Sequence, residues 1–273
     1  MRSNDPAAFA DTIDPRWLRA ATGLVTVEHL AETDSTMDRA RELALAPSAD
    51  LPALVLADRQ TKGRGQRGAR WWQAAGSLAM SLVVDAERFG GSRRPLPIWS
   101  LACAVALAES IEACEPSVRP QVRWPNDVEV DGRKLAGILV EAAGTGRVIF
   151  GVGVNSTGTA AEAPAAVRPR VGTLPDLTGR PLPRQRLLGV FLTTLFDLVA
   201  DVAGDPAGLL DRYRPRCSLT GHDICIHTSG GQHRGRCLGI AADGRLLLES
   251  EGEPTAFVSG SLTDPADVWR GEG

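Results

Sequence analysis

Two strand-forming runs, VRWPNDVEV (122–130) and RKLAGILVEA (133–142), meet across Asp131-Gly132. That dipeptide suits a type I′ turn, in which both central residues take positive φ and the twist of the turn matches that of the strands it joins. The spacing therefore predicts a β-hairpin in the middle of the chain. Before it, VTVEHLAE (25–32) alternates like a strand and runs into Thr33-Asp34-Ser35-Thr36, good N-cap chemistry for a helix through Ala46. ALVLADRQ (53–60), SLAMSLVVD (77–85) and RVIFGVGVN (147–155) read as further strands, and Pro97–Ala113 as a mostly apolar core helix. Leu187–Val202 reads as an amphipathic helix and Ala207–Tyr213 as a shorter one. Residues 156–183, rich in Pro, Gly and Ala, read as a loop with little structure, and residues 1–20 as a flexible arm. After Cys217 the short strands DICIHT, HRGRCLGIA, RLLLES and TAFVSG, with turns at Gly230-Gly231 and Asp243-Gly244, predict a small all-β barrel.

The strand at 53–60 feeds a glycine-rich stretch, Gly63-Arg64-Gly65-Gln66-Arg67-Gly68, that matches G-x-G-x-x-G letter for letter. A dinucleotide-binding loop of that form opens a helix and holds phosphate mainly on backbone amides. Here the loop runs through Ala69-Arg70-Trp71-Trp72-Gln73 into another strand, which speaks against that fold, and no GxxxxGK[ST] occurs anywhere. What remains is a basic loop, with Lys62, Arg64, Arg67 and Arg70 as cations that can clamp carboxylate or phosphate oxygens, and Trp71 and Trp72 to stack on or shield a ligand. The chain as a whole carries 30 Lys+Arg against 33 Asp+Glu, a net charge of -3. A globally basic nucleic-acid binder is thereby excluded, and any anion site must be local.

Only two of the basic residues are lysines, Lys62 and Lys134. One flanks the basic loop and the other lies in the hairpin, and an amine is not interchangeable with a guanidinium. The hairpin brings Arg123-Trp124-Pro125-Asn126-Asp127 close to Arg133-Lys134-Leu135-Ala136-Gly137. There Asp127 can help hold a Mg²⁺ on a phosphate, and Lys134 can neutralise a carboxylate or a developing charge.

DSTMDRA (34–40), RQTKGRGQRGARWW (59–72), RWPNDVEVDGRKLAGILVE (123–141) and GVGVN (151–155) resemble the motifs of biotin protein ligases, in that family's order and spacing, and LGIAADGRLLLES resembles its C-terminal segment. The resemblance covers roughly residues 25–262. It implies an α+β fold: a mixed-sheet catalytic domain related to class II aminoacyl-tRNA synthetases over residues 21–217, then a small SH3-like β-barrel over 218–273. It also implies an enzyme that joins biotin to ATP as biotinyl-5′-AMP and passes the acyl group to a lysine of the biotin carboxyl carrier domain of a carboxylase. By the same resemblance Ser35, Thr36, Met37, Gln60, Arg64, Gly65, Gln66, Lys134 and Gly151 surround biotin. Arg67, Arg70, Trp71, Arg123, Asn126 and Asn155 fall on the ATP or adenylate side, Asp127 on the metal, and Lys134, Arg64 and Arg67 carry the catalytic charge.

Three residues depart from the usual family pattern. Gln66 stands where many members have arginine, Arg123 where lysine usually precedes WPND, and Met37 where asparagine is frequent. The first removes a charge-assisted contact to the adenylate, so retention of the intermediate is expected to be less secure or to lean on Arg70. No DNA partner is expected, because no helix-turn-helix precedes residue 25. Cys217, His222, Cys225, His227, His233 and Cys237 crowd into 21 residues, but no C-x₂-C pair accompanies the histidines and the group reads as ordinary barrel residues, so no zinc is expected. The five cysteines form no disulfide pattern, and neither a signal peptide nor a membrane-spanning run is read, which together predict a cytoplasmic protein. The sequence leaves the oligomeric state open, a homodimer included. The rival readings are a lipoate or octanoyl transferase on the related fold and a non-catalytic biotin- or nucleotide-binding module.

Overall fold

The computed structural model describes residues 12–89, 97–144, 146–250 and 252–263. Seven strands form one sheet: β1 (Thr26–Thr33), β2 (Ala53–Gln60), β3 (Leu78–Asp85), β4 (Gln121–Arg123), β5 (Asp127–Val130), β6 (Arg133–Ala143) and β7 (Arg147–Val154). Their order is β1-β2-β3-β7-β6-β5-β4. Only β1 and β2 run parallel; every other neighbouring pair is antiparallel. A parallel pair needs a crossover, and the helix α2 (Thr36–Leu45) supplies it.

Alternation along the strands divides the sheet into two faces. Leu54 and Leu56 of β2 and Val148, Phe150, Val152 and Val154 of β7 join the main core. Ala53, Val55 and Ile149, in the opposite phase, pack with Met37, Ala40 and Ala44 of α2. Gly151 and Gly153 fall in that second phase, where the sheet leaves room for a ligand. The main core is built on α3 (Pro97–Cys114) and α5 (Arg184–Gly204). Helix α3 is long and apolar enough to cross a membrane, but it is apolar on every side because it packs against α5, α6 (Ala207–Tyr213) and strands β4 to β6.

The hairpin turn is as expected: Asp131 and Gly132 have φ of 51° and 71°. Its first arm differs. The run 122–130 breaks into β4 and β5 around Trp124-Pro125-Asn126, with Arg123 facing Asp127 across a second, smaller hairpin. Pro125 has no N–H for a ladder, and the buried Trp124 indole instead donates to the Gly244 carbonyl at 3.1 Å.

Two further expectations are corrected. Within the supposed arm, residues 15–22 form the helix α1 (Pro15–Thr22), capped by the Asp14 carboxylate and closed by Gly23 at φ 71°. It is held because Leu18 is fully buried and the Asp14 amide donates to Gln185 Oε1 at 2.7 Å; residues 1–11 lie outside the described residues. The supposed loop 156–183 contains two 3₁₀ turns and the short helix α4 (Leu174–Thr178). Side-chain caps from Thr159, Glu162 and Thr173 hold it, an ordering that hydrophobic periodicity does not register.

The C-terminal strands β8 (Asp223–Thr228), β9 (Gly231–Ile240), β10 (Leu246–Ser250), β11 (Glu253–Phe257) and β12 (Ser261–Thr263) form an antiparallel sheet of order β11-β10-β9-β8-β12. Ile226, Cys237, Leu246 and Leu248 enter the same hydrophobic cluster as α3.

Candidate active site

The cavity opens where α2 begins, at the ends of β1 and β2, and its floor is uncharged. The Thr36 amide donates to Gln60 Oε1 at 2.9 Å, and the Thr36 hydroxyl accepts from Ser81 Oγ at 2.8 Å. These bonds fix the Gln60 amide and the first turn of α2. Ser35, at the N-cap of α2, is 1% exposed, and its hydroxyl has no protein partner. A buried hydroxyl beside a cavity with its bonding capacity unused is placed to bind a polar ligand atom.

The basic loop folds back on itself. The Gly65 amide donates to the Ala69 carbonyl at 2.7 Å, the Trp71 amide to the Gly63 carbonyl at 3.0 Å, and Arg64 and Arg70 pair as an isolated antiparallel bridge around the 3₁₀ turn Gln66–Gly68. Ion pairs tie it to α2: Lys62 Nζ lies 2.9 Å from Asp34 Oδ2, and Arg64 Nη2 lies 2.7 Å from Asp38 Oδ1. The Thr61 hydroxyl donates to Asp34 at 2.5 Å. That bond first, and then Lys62, holds the Asp34 carboxyl below the usual range, since both favour its charged form.

The hairpin forms the opposite wall. Lys134 Nζ lies 2.6 Å from Asp127 Oδ1 and 5.6 Å from the centroid of the Trp71 ring. The ammonium is thereby held between a carboxylate and an aromatic face, both of which attract it. Asn126 Nδ2 donates to the Ile138 carbonyl at 2.7 Å. Three glycines make room for these groups. A Cβ on Gly137 would come within 3.1 Å of Lys134 Cε, one on Gly153 within 2.5 Å of Trp71 Cε2, and one on Gly151 would collide with Met37 Sδ.

Ser35, Thr36, Met37, Gln60, Arg64, Gly65, Gln66, Arg70, Trp71, Asn126, Lys134 and Gly151 all line this one cavity. The backbone of Arg67 lies in the 3₁₀ turn, and its side chain is outside the described residues. Arg123, Asp127 and Asn155 stand outside the lining. Asp127 sits behind Lys134, and Asn155 is 2% exposed, its Nδ2 donating to the Gly172 carbonyl at 3.0 Å. Met80, Ala69, Gly137, Ile138, Leu139, Val152 and Gly153 also line the cavity and were not singled out from sequence. The signal for several of them lay in view, because LAGIL and GVGV are the strand segments that flank Lys134 and Gly151.

Among the described residues no carboxylate, histidine or cysteine lines the cavity. Its chemistry is therefore cationic and orienting: it can hold an anionic ligand under Arg64, Arg70 and Lys134. In the C-terminal sheet Cys225 Sγ lies 3.7 Å from His227 Nε2 and accepts from Gln232 Nε2 at 2.8 Å. Among the described residues no three His, Cys, Asp or Glu side chains come together to hold a metal ion.

The Biotin/lipoate A/B protein ligase family profile matches residues 30–155, from β1 to the end of β7. A biotin–[acetyl-CoA-carboxylase] ligase of Paracoccus denitrificans is 34% identical over 231 residues, which is 80% of this chain and 92% of that protein. One of Mycobacterium tuberculosis is 33% identical over 266 residues, 92% of this chain and 95% of the other. Among solved structures, a biotin protein ligase of Aquifex aeolicus in complex with biotin and ATP superposes with a TM-score of 0.77 at 24% identity, covering 88% of this chain and 98% of its own.

Proposed function

The chain belongs to the biotin protein ligases of the biotin/lipoate A/B protein ligase family, and from that premise we propose that it attaches biotin to carrier domains at the expense of ATP. The observation that carries this reading is the placement of Lys134 against Trp71 in one cavity that Arg64 also lines and that holds the free Ser35 hydroxyl.

In the first step an oxygen of biotin's carboxylate attacks the α-phosphorus of ATP. The bond from that phosphorus to the bridging oxygen breaks, and pyrophosphate leaves with the electron pair. In the second step the amine of a carrier lysine attacks the acyl carbon, loses its proton and expels AMP. Neither step needs a nucleophile from the enzyme, which matches a cavity lined by cations and amides. Lys134 and Arg64 would neutralise the carboxylate and the charge that builds on the α-phosphate, a contribution that typically matters by several kcal/mol. Gln60 and Thr36, locked to each other, would orient the acid for in-line attack. Arg67, Arg70, Arg123, Asn126 and Asn155 are assigned to the nucleotide side, and Gly151 to the wall beside biotin.

A Mg²⁺ brought in with the nucleotide would need few protein ligands, because this ion is commonly bound through one or two carboxylates plus substrate oxygens. Asp127 would be its protein ligand, shared with Lys134. When bound, it would offset phosphate charge. We further assign residues 21–217 to the catalytic domain, as a relative of class II aminoacyl-tRNA synthetases, and 218–273 to an SH3-like barrel. The short antiparallel strands β8 to β12 support the latter. A biotin carboxyl carrier domain in the cytoplasm is the acceptor.

The test is exchange of labelled pyrophosphate into ATP. Biotin is expected to support it and lipoate not to; the reverse would make the chain a lipoate-type enzyme, and exchange with neither a binding module. Lys134→Ala is expected to cut biotin-dependent exchange by about 100-fold or more. Near-normal exchange by that variant would remove Lys134 from the chemistry.

A further inference from the structure

Asp34 and Asp38 lie four residues apart at the start of α2, and between them Ser35, Thr36 and Met37 line the cavity. The basic loop carries Lys62 and Arg64 two residues apart, and each carboxylate takes one of these cations, at 2.9 Å and 2.7 Å. At Asp34 the contact is reinforced on the main chain, where its carbonyl accepts the Lys62 amide at 2.8 Å, next to the Thr61 amide on the Thr33 carbonyl at 3.0 Å. The bend before α2 and the first turn of that helix thus bind the loop at two points, and the residues between them form part of the cavity under it.

We propose that Asp34 and Asp38 are positioning residues, a two-point clasp that holds the basic loop over the cavity before any ligand arrives and aims Arg64 at the acid's carboxylate. The proposal rests on the ligase reading for the identity of that acid, while the clasp itself rests on geometry alone. Asp38 touches no substrate and acts through Arg64. One guanidinium has five N–H donors, so the nitrogen spent on Asp38 leaves others for the ligand. A loop with Gly63, Gly65 and Gly68 loses much conformational freedom when it orders. If that loss fell at the moment of binding, it would reduce affinity; a clasp closed beforehand removes it from the binding step. The paired side chains are 39–72% exposed, so the clasp must weaken as salt screens it.

The experiment uses the full chain without ligands, digested by trypsin, whose cuts after Lys62, Arg64 and Arg70 report loop opening. The double variant Asp34→Asn/Asp38→Asn is expected to be cut about tenfold faster than wild type at low salt, equivalent to about 1.4 kcal/mol. Added salt is expected to speed cleavage of wild type toward the variant's rate and to leave the variant unchanged. In pyrophosphate exchange Asp38→Asn is expected to raise the KM for biotin roughly fivefold with kcat within about twofold, in line with loss of a positioning contact. Asp38→Glu is expected to restore KM. Equal cleavage of wild type and double variant would overturn the clasp, as would an unchanged biotin KM in Asp38→Asn. Absence of biotin-dependent exchange in wild type would sink the ligase reading instead, and cleavage would still decide the clasp.

Discussion

A Cβ on Gly153 would stand 2.5 Å from Trp71 Cε2, so the indole beside Lys134 would have to move. Gly153→Ala is therefore expected to displace Trp71 from the ammonium, lower biotin-dependent exchange by about tenfold or more, and cost roughly 1–3 kcal/mol of stability from overpacking. Denaturant unfolding alongside exchange assays checks both halves. Gly151→Ala should be milder, because the side chain it meets is the flexible thioether of Met37. Asp34 gives a prediction in pH. Its carboxyl ordinarily titrates near 3.8 and is held lower in the folded protein. A group with a depressed folded value stabilises the fold above its unfolded value, and the stabilisation fades as pH falls through the folded one. Asp34→Asn should consequently lower the unfolding midpoint at pH 7, with the gap to wild type closing as the pH falls below the ordinary carboxyl value of 3.8. A gap that stays constant with pH would contradict this.

At the scale of elements, the turn between β4 and β5 does two tasks. It presents Asn126 to the cavity, and it buries Trp124 with the indole N–H on the Gly244 carbonyl. Gly244 is itself pressed against α3, since a Cβ there would meet the Ile98 amide nitrogen at 2.5 Å. The turn, α3 and the C-terminal sheet are thus locked at one point. Trp124→Phe keeps most of the apolar volume but strands that carbonyl, and is expected to cost about 1–3 kcal/mol, read from the urea midpoint. A variant as stable as wild type would mean that the hydrogen bond contributes nothing net.

For the molecule as a whole, one hydrophobic cluster runs from Leu18 in α1 through α3 and α5 to Leu246 and Leu248 in β10. The two sheets share a core, so heat should unfold them together. Calorimetry is expected to show a single transition, and two separated ones would mean that the C-terminal sheet is an independent unit. A chain ending at residue 217 would leave Trp124 and the first turn of α3 uncovered and is expected to aggregate.

Much of the site was legible because its residues are near neighbours in sequence or across one turn. DSTM runs from the bend before α2 into its first turn, and the basic loop joins two strands whose apolar runs are plain. Asp131-Gly132 could be read from turn chemistry alone, because positive φ is a local demand that few residues meet. Other features depended on distant parts of the chain. Leu18 made residues 15–22 a helix only by finding α5 and β1, and the break at Trp124-Pro125-Asn126 needed the Gly244 carbonyl, 120 residues away. Asp34 and Asp38 read from sequence as part of a helix start, and the fold made them partners of Lys62 and Arg64. Sequence by itself determined the local conformations and the kinds of charge available. The tertiary structure alone decided which charges meet, because an ion pair falls off within a few ångströms and that distance is set by packing between elements far apart in the chain.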